Sequence, residues 1–173
     1  MTISLLSTRR AISLVVLCVA MASGLAASAR ADGATVSSVI LPLTGTYVIN
    51  RFDQDDVVVS LSGKVHVVSQ VFETADGDLV ASVLTNLVSV KGVSGEQMWV
   101  AIGSTVFPPN PIFPPNPIDV ETTAVTLIPL DHAFPPNPIF PPILKLTLNY
   151  DSVGKLLANS STAVITQSDG PDT

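Results

Sequence analysis

Val57-Val58-Val59-Ser60-Leu61-Ser62-Gly63-Lys64-Val65-His66-Val67-Val68-Ser69-Gln70-Val71-Phe72 decides the fold class. Val65, Val67 and Val71 share one parity, and Lys64, His66 and Gln70 share the other. A period of two places the two sets on opposite faces of a strand. β-Branched residues dominate the run, and no cap or i, i+3, i+4 spacing argues for a helix. Gly63 in the middle predicts a bulge or a sharp bend.

The same pattern extends in both directions. Upstream, Thr35–Leu41 reads as a strand ended by Pro42, and Gly45–Phe52 reads as a second. Asp53-Gln54-Asp55-Asp56 forms an acidic turn. Downstream, Asp76-Gly77 is a hairpin signal, and Leu79–Val90 returns from it. Gly92 to Gly95 turns the chain into Gln97–Phe107, and Val120–Leu130 follows. Ile143–Tyr150 alternates, with Leu144, Leu146, Leu148 and Tyr150 against Lys145, Thr147 and Asn149. Lys155–Thr166 closes the series. About eight antiparallel strands at hairpin spacing predict an all-β domain, a closed barrel or a sandwich. Long strands bending at a glycine lean toward the barrel. Leu79–Val90 is apolar on both faces, which calls for a lumen, a second sheet or an oligomer contact.

The hexapeptide Phe-Pro-Pro-Asn-Pro-Ile stands at 107–112, at 113–118 and again at 134–139, with a broken copy, Phe140-Pro141-Pro142-Ile143, behind it. Proline fixes φ, lacks a donor N–H and restricts the residue before it. Segments 107–118 and 134–143 are therefore predicted to be polyproline loops at one end of the domain. At three residues per turn, Phe107, Ile112, Phe113, Ile118, Phe134, Ile139 and Phe140 would line one apolar edge. That edge is a candidate contact surface. The plainer alternative is a tandem duplication in a tolerant loop.

The N-terminus has the layout of an export signal. Arg9 and Arg10 precede an uncharged run, Ala11 to Leu25, and small residues follow at Ala26-Ala27-Ser28-Ala29-Arg30-Ala31. Residues 1–31 read as a cleaved signal peptide, with Ala29-Arg30-Ala31 as the cleavage motif and Ala27-Ser28-Ala29 as the alternative. The apolar run is too short for a stable membrane span, so none is expected after cleavage. Export places the protein in the periplasm or outside the cell. Sec and twin-arginine export both remain open, because Thr8-Arg9-Arg10 matches the second route only in part.

Cleavage would leave 32–166 as a single domain and 167–173 as a disordered polar tail. It removes Cys18 and three of the eight basic residues. Five bases then face fourteen acids, a formal net charge of −9. An acidic chain of this kind disfavours nucleic acid and anionic lipid surfaces as partners, because both need a basic face, and no nucleic-acid partner is expected. A thiol-free one excludes disulfide scaffolds, thiol enzymes and zinc–thiolate sites.

No catalytic, metal or cofactor motif stands out. His66 and His132 lack the converging ligands a metal needs. The 53–56 acids lack the glycine and distal glutamate of a calcium loop. Gly92-Val93-Ser94-Gly95 misses the spacing of a nucleophile elbow. Trp99, the sole tryptophan, reads as a core or barrel-mouth anchor, with contact to a ligand as the alternative.

Ser62-Gly63-Lys64-Val65-His66-Val67-Val68, with Gly77-Asp78-Leu79, Asn86, Gly92-Val93, Gly95 and Ala101-Ile102-Gly103, resembles a loosely defined group of uncharacterised exported bacterial all-β proteins. The likeness covers roughly residues 55–105. It implies a secreted β domain with no assigned activity and carries over no site residue.

The sequence thus supports a non-catalytic exported binding or structural module whose partner is an unidentified protein. A lipocalin-like carrier of a small apolar ligand is the alternative. A hydrolase with a carboxylate pair is a third reading, without a motif behind it.

Overall fold

The structure, a computed structural model, describes residues 28–31, 33–51, 54–130 and 141–167. The proposed signal residues 1–27, the third hexapeptide at 134–139 together with Phe140, His132, and the tail from 168 lie outside the described residues.

Within them the protein is all-β. Ten strands form one sheet: β1 (Ser28–Ala31), β2 (Ala34–Arg51), β3 (Gln54–Glu73), β4 (Leu79–Ser94), β5 (Gln97–Ile102), β6 (Ser104–Pro111), β7 (Ile118–Thr122), β8 (Thr126–Pro129), β9 (Pro142–Leu148) and β10 (Thr162–Gln167). Eight of them follow the path β7-β9-β10-β2-β3-β4-β5-β8. β1 adds to β2, and β6 adds to β4. The sheet curls into an open half-barrel and buries its inner face on itself.

The decisive stretch behaves as its pattern predicts. Val59, Leu61, Val65, Val67 and Val71 of β3 are buried, while Lys64 and Gln70 face out. Gly63 does mark a bulge, but the extra residue belongs to the partner. Between the pairs Ser62↔Lys91 and Lys64↔Val88, β4 is one residue longer than β3. Ser89 takes that place at φ 52°, in the left-handed region that L-residues seldom adopt. A Cβ on Gly63 would lie 2.6 Å from the Cα of Val90, so only glycine admits the bulge at this distance. The insertion flips parity. Ala81, Val83 and Thr85 point inward before it, and Val90 points inward after it.

Several boundaries differ from the sequence reading. Pro42 does not end a strand. β2 runs through it for 18 residues, paired with β3 from Thr35 to Arg51. Among the described residues, Pro42 lies where β2's other edge has no strand partner, between the β1 contact at 34–37 and the β10 contact at 43–45. A missing donor N–H is harmless there. Val120–Leu130 is two strands, because residues 123–125 break from the ladder. The carbonyl of Ala124 comes against Gly103, where a Cβ would collide with it. The predicted strand Lys155–Thr166 contracts to β10, and a turn occupies its first half.

One pairing corrects the all-antiparallel expectation. β10 runs parallel to β2, with Ala163, Val164 and Ile165 beside Leu43, Thr44 and Gly45. Parallel neighbours cannot be joined by a tight turn, and most of the chain separates these two.

The proline copies give the largest correction. Copy 107–112 is not a polyproline loop. It forms most of β6, an edge strand on β4. Pro108 and Pro109 occupy a register shift opposite Ser82, between Ala81↔Asn110 and Val83↔Phe107. The Ile112 amide donates to the Leu79 carbonyl at 2.9 Å. By antiparallel alternation the Pro111 nitrogen then faces away from β4, the place a strand proline tolerates. Copy 113–118 does something else. The Asn116 amide donates to the Phe113 carbonyl at 2.8 Å in a turn, and Ile118 opens β7.

Candidate functional site

The inner face is packed. Leu41, Leu43, Val65, Val67, Leu146, Leu148 and Ile165 form its centre, and Trp99 joins them at 2% exposure. Trp99 stands between Gly92 on β4 and Pro129 on β8. Its surroundings are those of a core anchor.

Three hydroxyls interrupt this apolar interior at one end. Ser37 and Ser69 are a cross-strand pair on β2 and β3. Ser69 Oγ and Tyr150 OH share a hydrogen bond of 2.9 Å, and the Leu156 amide donates to Ser37 Oγ at 3.1 Å. The loop 151–157 thereby straps that end, helped by Thr35 Oγ1 donating to the Val153 carbonyl. Burial pushes the Tyr150 hydroxyl above its ordinary value of 10.0, and the Ser69 bond pulls it part of the way back. The folded state thus favours the neutral phenol. That contribution to stability is intact below pH 10 and fades as pH climbs through the raised value. Ser37, Ser69 and Tyr150 are all buried; Ser69 and Tyr150 bond to each other, and Ser37 is tied to the strap backbone.

The outer face is the surface available for contact. Its centre is polar. Lys64, His66, Asn86 and Lys91 project there, and His66 Nε2 lies 2.7 Å from Ser38 Oγ, a hydrogen bond whose donor depends on the tautomer. His66 is thus a paired sheet-surface residue. Among the described residues no three His, Cys, Asp or Glu side chains group as metal ligands.

The β8 side of the outer face is apolar. Val93 pairs with Met98 across β4 and β5, and Val100 with Ile128 across β5 and β8. Leu130 adjoins Met98, its amide donating to the Met98 carbonyl at 2.9 Å. Val93, Met98, Ile102, Ile128 and Leu130 are all at least 41% exposed. Isolated apolar residues on a surface are ordinary, but a contiguous patch marks a contact. Among the described residues no strand pairs with the other edge of β8, and that edge is blunted. Leu130 donates toward β5, so alternation aims the Pro129 nitrogen outward, where it offers no donor to another strand.

The predicted contact edge divides. Phe107 and Ile112 are 7% and 2% exposed and belong to the core. Ile118 is half-buried against it. Phe113, at 62%, is the described member that remains open. Phe134, Ile139 and Phe140 fall outside the described residues. Sequence reasoning passed over the patch on β4, β5 and β8. Its signal was present in Met98-Trp99-Val100-Ala101-Ile102, apolar at both parities.

No protein-family model matches the chain, and no curated protein or solved structure matches it. Among the described residues no helix is long and apolar enough to cross a membrane.

Proposed function

We propose that the chain is an exported, non-catalytic binding or structural module, carried to the periplasm or the cell exterior by residues 1–31. The observation that carries this reading is the contrast between the two faces. The inner face is filled by the protein's own side chains, and the outer face offers apolar surface beside β8. Catalytic groupings play no part in it. The resemblance to exported bacterial β proteins agrees with the reading.

Closure of the half-barrel is part of the same proposal. β7 and β8, the two ends of the sheet path, are consecutive in the chain and separated only by residues 123–125. Thr122 Oγ1 lies 3.0 Å from Thr105 Oγ1. Segment 118–129 would then be the seam of a barrel. The alternative of an apolar-ligand carrier draws less support, since Trp99 and the inward leucines and valines pack against each other.

A photo-crosslinking residue at position 128, compared with one at Thr44 elsewhere on the outer face, tests the module reading in the native cell envelope. A discrete protein adduct from position 128, absent from position 44 and lost with Met98→Asp, is the expected result. A bound apolar small molecule in native mass spectra, with no adduct, would replace the module by the carrier.

A further inference from the structure

The cleavage motif lies inside the fold. β1 is made of Ser28-Ala29-Arg30-Ala31, and it pairs antiparallel with the first residues of β2: Ser28↔Ser37, Ala29↔Val36, Arg30↔Thr35 and Ala31↔Ala34. Both motifs read from the sequence end within this strand, at Ala31 or at Ala29. Gly33, at φ 85°, belongs to the turn of the hairpin, a conformation that favours glycine.

We infer that the folded sheet shields its own processing site, so that cleavage has to precede the zipping of β1 onto β2. This rests on reading residues 1–31 as a signal peptide. The chemistry is ordinary hydrolysis. Water adds across the peptide bond after Ala31, leaving a carboxylate on Ala31 and an amine on the next residue. A peptidase that reads small side chains at alternate positions needs the segment extended, with its backbone groups free to bond to the enzyme. β1 is extended, but its ladder to β2 already uses the backbone groups of every second residue and covers that side of the strand. The hairpin must open before the enzyme can engage.

Opening is local. β2 stays in place without β1, because Thr35 and Ser37 pair with Val71 and Ser69 on β3. They are also tied to the 151–157 strap through Val153 and Leu156. The processed chain therefore keeps its sheet and gains a free edge over residues 34–37. β1 belongs to the precursor, and the domain does not depend on it.

An order-of-addition experiment on the full chain tests the inference. The chain is unfolded in urea and diluted into mild detergent. Purified signal peptidase is present from the start of refolding, or is added once refolding is complete. Cleavage at Ala31 or Ala29 should be at least about tenfold slower in the second case, as for any bond that reacts only through local opening. Gly33→Val, which disfavours the φ of the turn, should bring the two rates together. Its effect on the enzyme itself cancels in their ratio. Hydrogen exchange at residues 28–31 should rise in that variant while β3 stays protected. Equal rates for the unsubstituted chain overturn the shielding and leave the signal reading standing. No cleavage in either order overturns the signal reading, and the shielding with it.

Discussion

Copies 107–112 and 113–118 have the same six residues in the same order and adopt different structures. The first is an edge strand on β4 with Phe107 and Ile112 in the core. The second is a turn with Phe113 in solvent and Ile118 leading into β7. Local preference is identical in the two, so it cannot be what separates them. The difference is set by what each copy meets. Leu79 and Ala81 on β4 offer backbone partners to the first, and nothing equivalent remains for the second. Three prolines per copy restrict φ without choosing between strand and turn. Tertiary context makes the choice.

The most severe test of this comparison removes one copy. Deleting 107–112 or 113–118 yields the same chain, so a single hexapeptide must serve as both strand and turn. The β4 pairing should prevail and leave β7 short of β9. We expect a loss of about 3 kcal/mol from unburying Val120 and Ile118, read as a midpoint lower by about 6–12 °C. Amide protection should disappear at 118–122. Full protection there would show that β7 does not need the second copy.

The next effect separates the copies residue by residue. Phe107→Ala should destabilise by about 3 kcal/mol in urea titrations, as expected for a buried phenylalanine. Equal midpoints for this variant and the unsubstituted protein would remove Phe107 from the core. Within the first copy, Asn110→Pro deletes an amide that alternation aims at β4, at a cost of about 1–3 kcal/mol. Pro111→Ala should change little, because that nitrogen faces away. If the two substitutions behave alike, the register of β6 is wrong. The smallest effect belongs to Phe113→Ala, within about 0.5 kcal/mol of the parent.

Much of the fold was legible from alternation. Val57–Phe72 and Ile143–Tyr150 point their side chains as the period of two requires, because each is buried on one face and solvated on the other. Gly63 was readable as a bulge, although the sequence could not say that Ser89 on β4 supplies the extra residue. What stayed hidden depended on neighbours. Pro42 reads as a stop only if its nitrogen faces a partner, and among the described residues no strand pairs with that edge at Pro42. Phe107-Pro108-Pro109 reads as a loop only if the prolines lie inside a ladder, and here they fill a bulge at an edge. The outer patch on β4, β5 and β8 was half visible. Met98, Val100 and Ile102 are apolar opposite Trp99 and Ala101, a pattern that signals two apolar faces but not which one is core.

The parallel contact between β10 and β2 sets a timetable. The chain is made from its N-terminal end, so Leu43, Thr44 and Gly45 are available early. Their neighbours Ala163, Val164 and Ile165 come from the last strand to arrive. Until then one side of β2 has no third strand to complete it, and the inner face beside Leu43 stays open to water. Pairings this distant in sequence are slow to form. The delay is an interval in which the first strands are exposed, and in which, on the export reading proposed above, a signal peptidase would have its clearest access to the residues just ahead of β2.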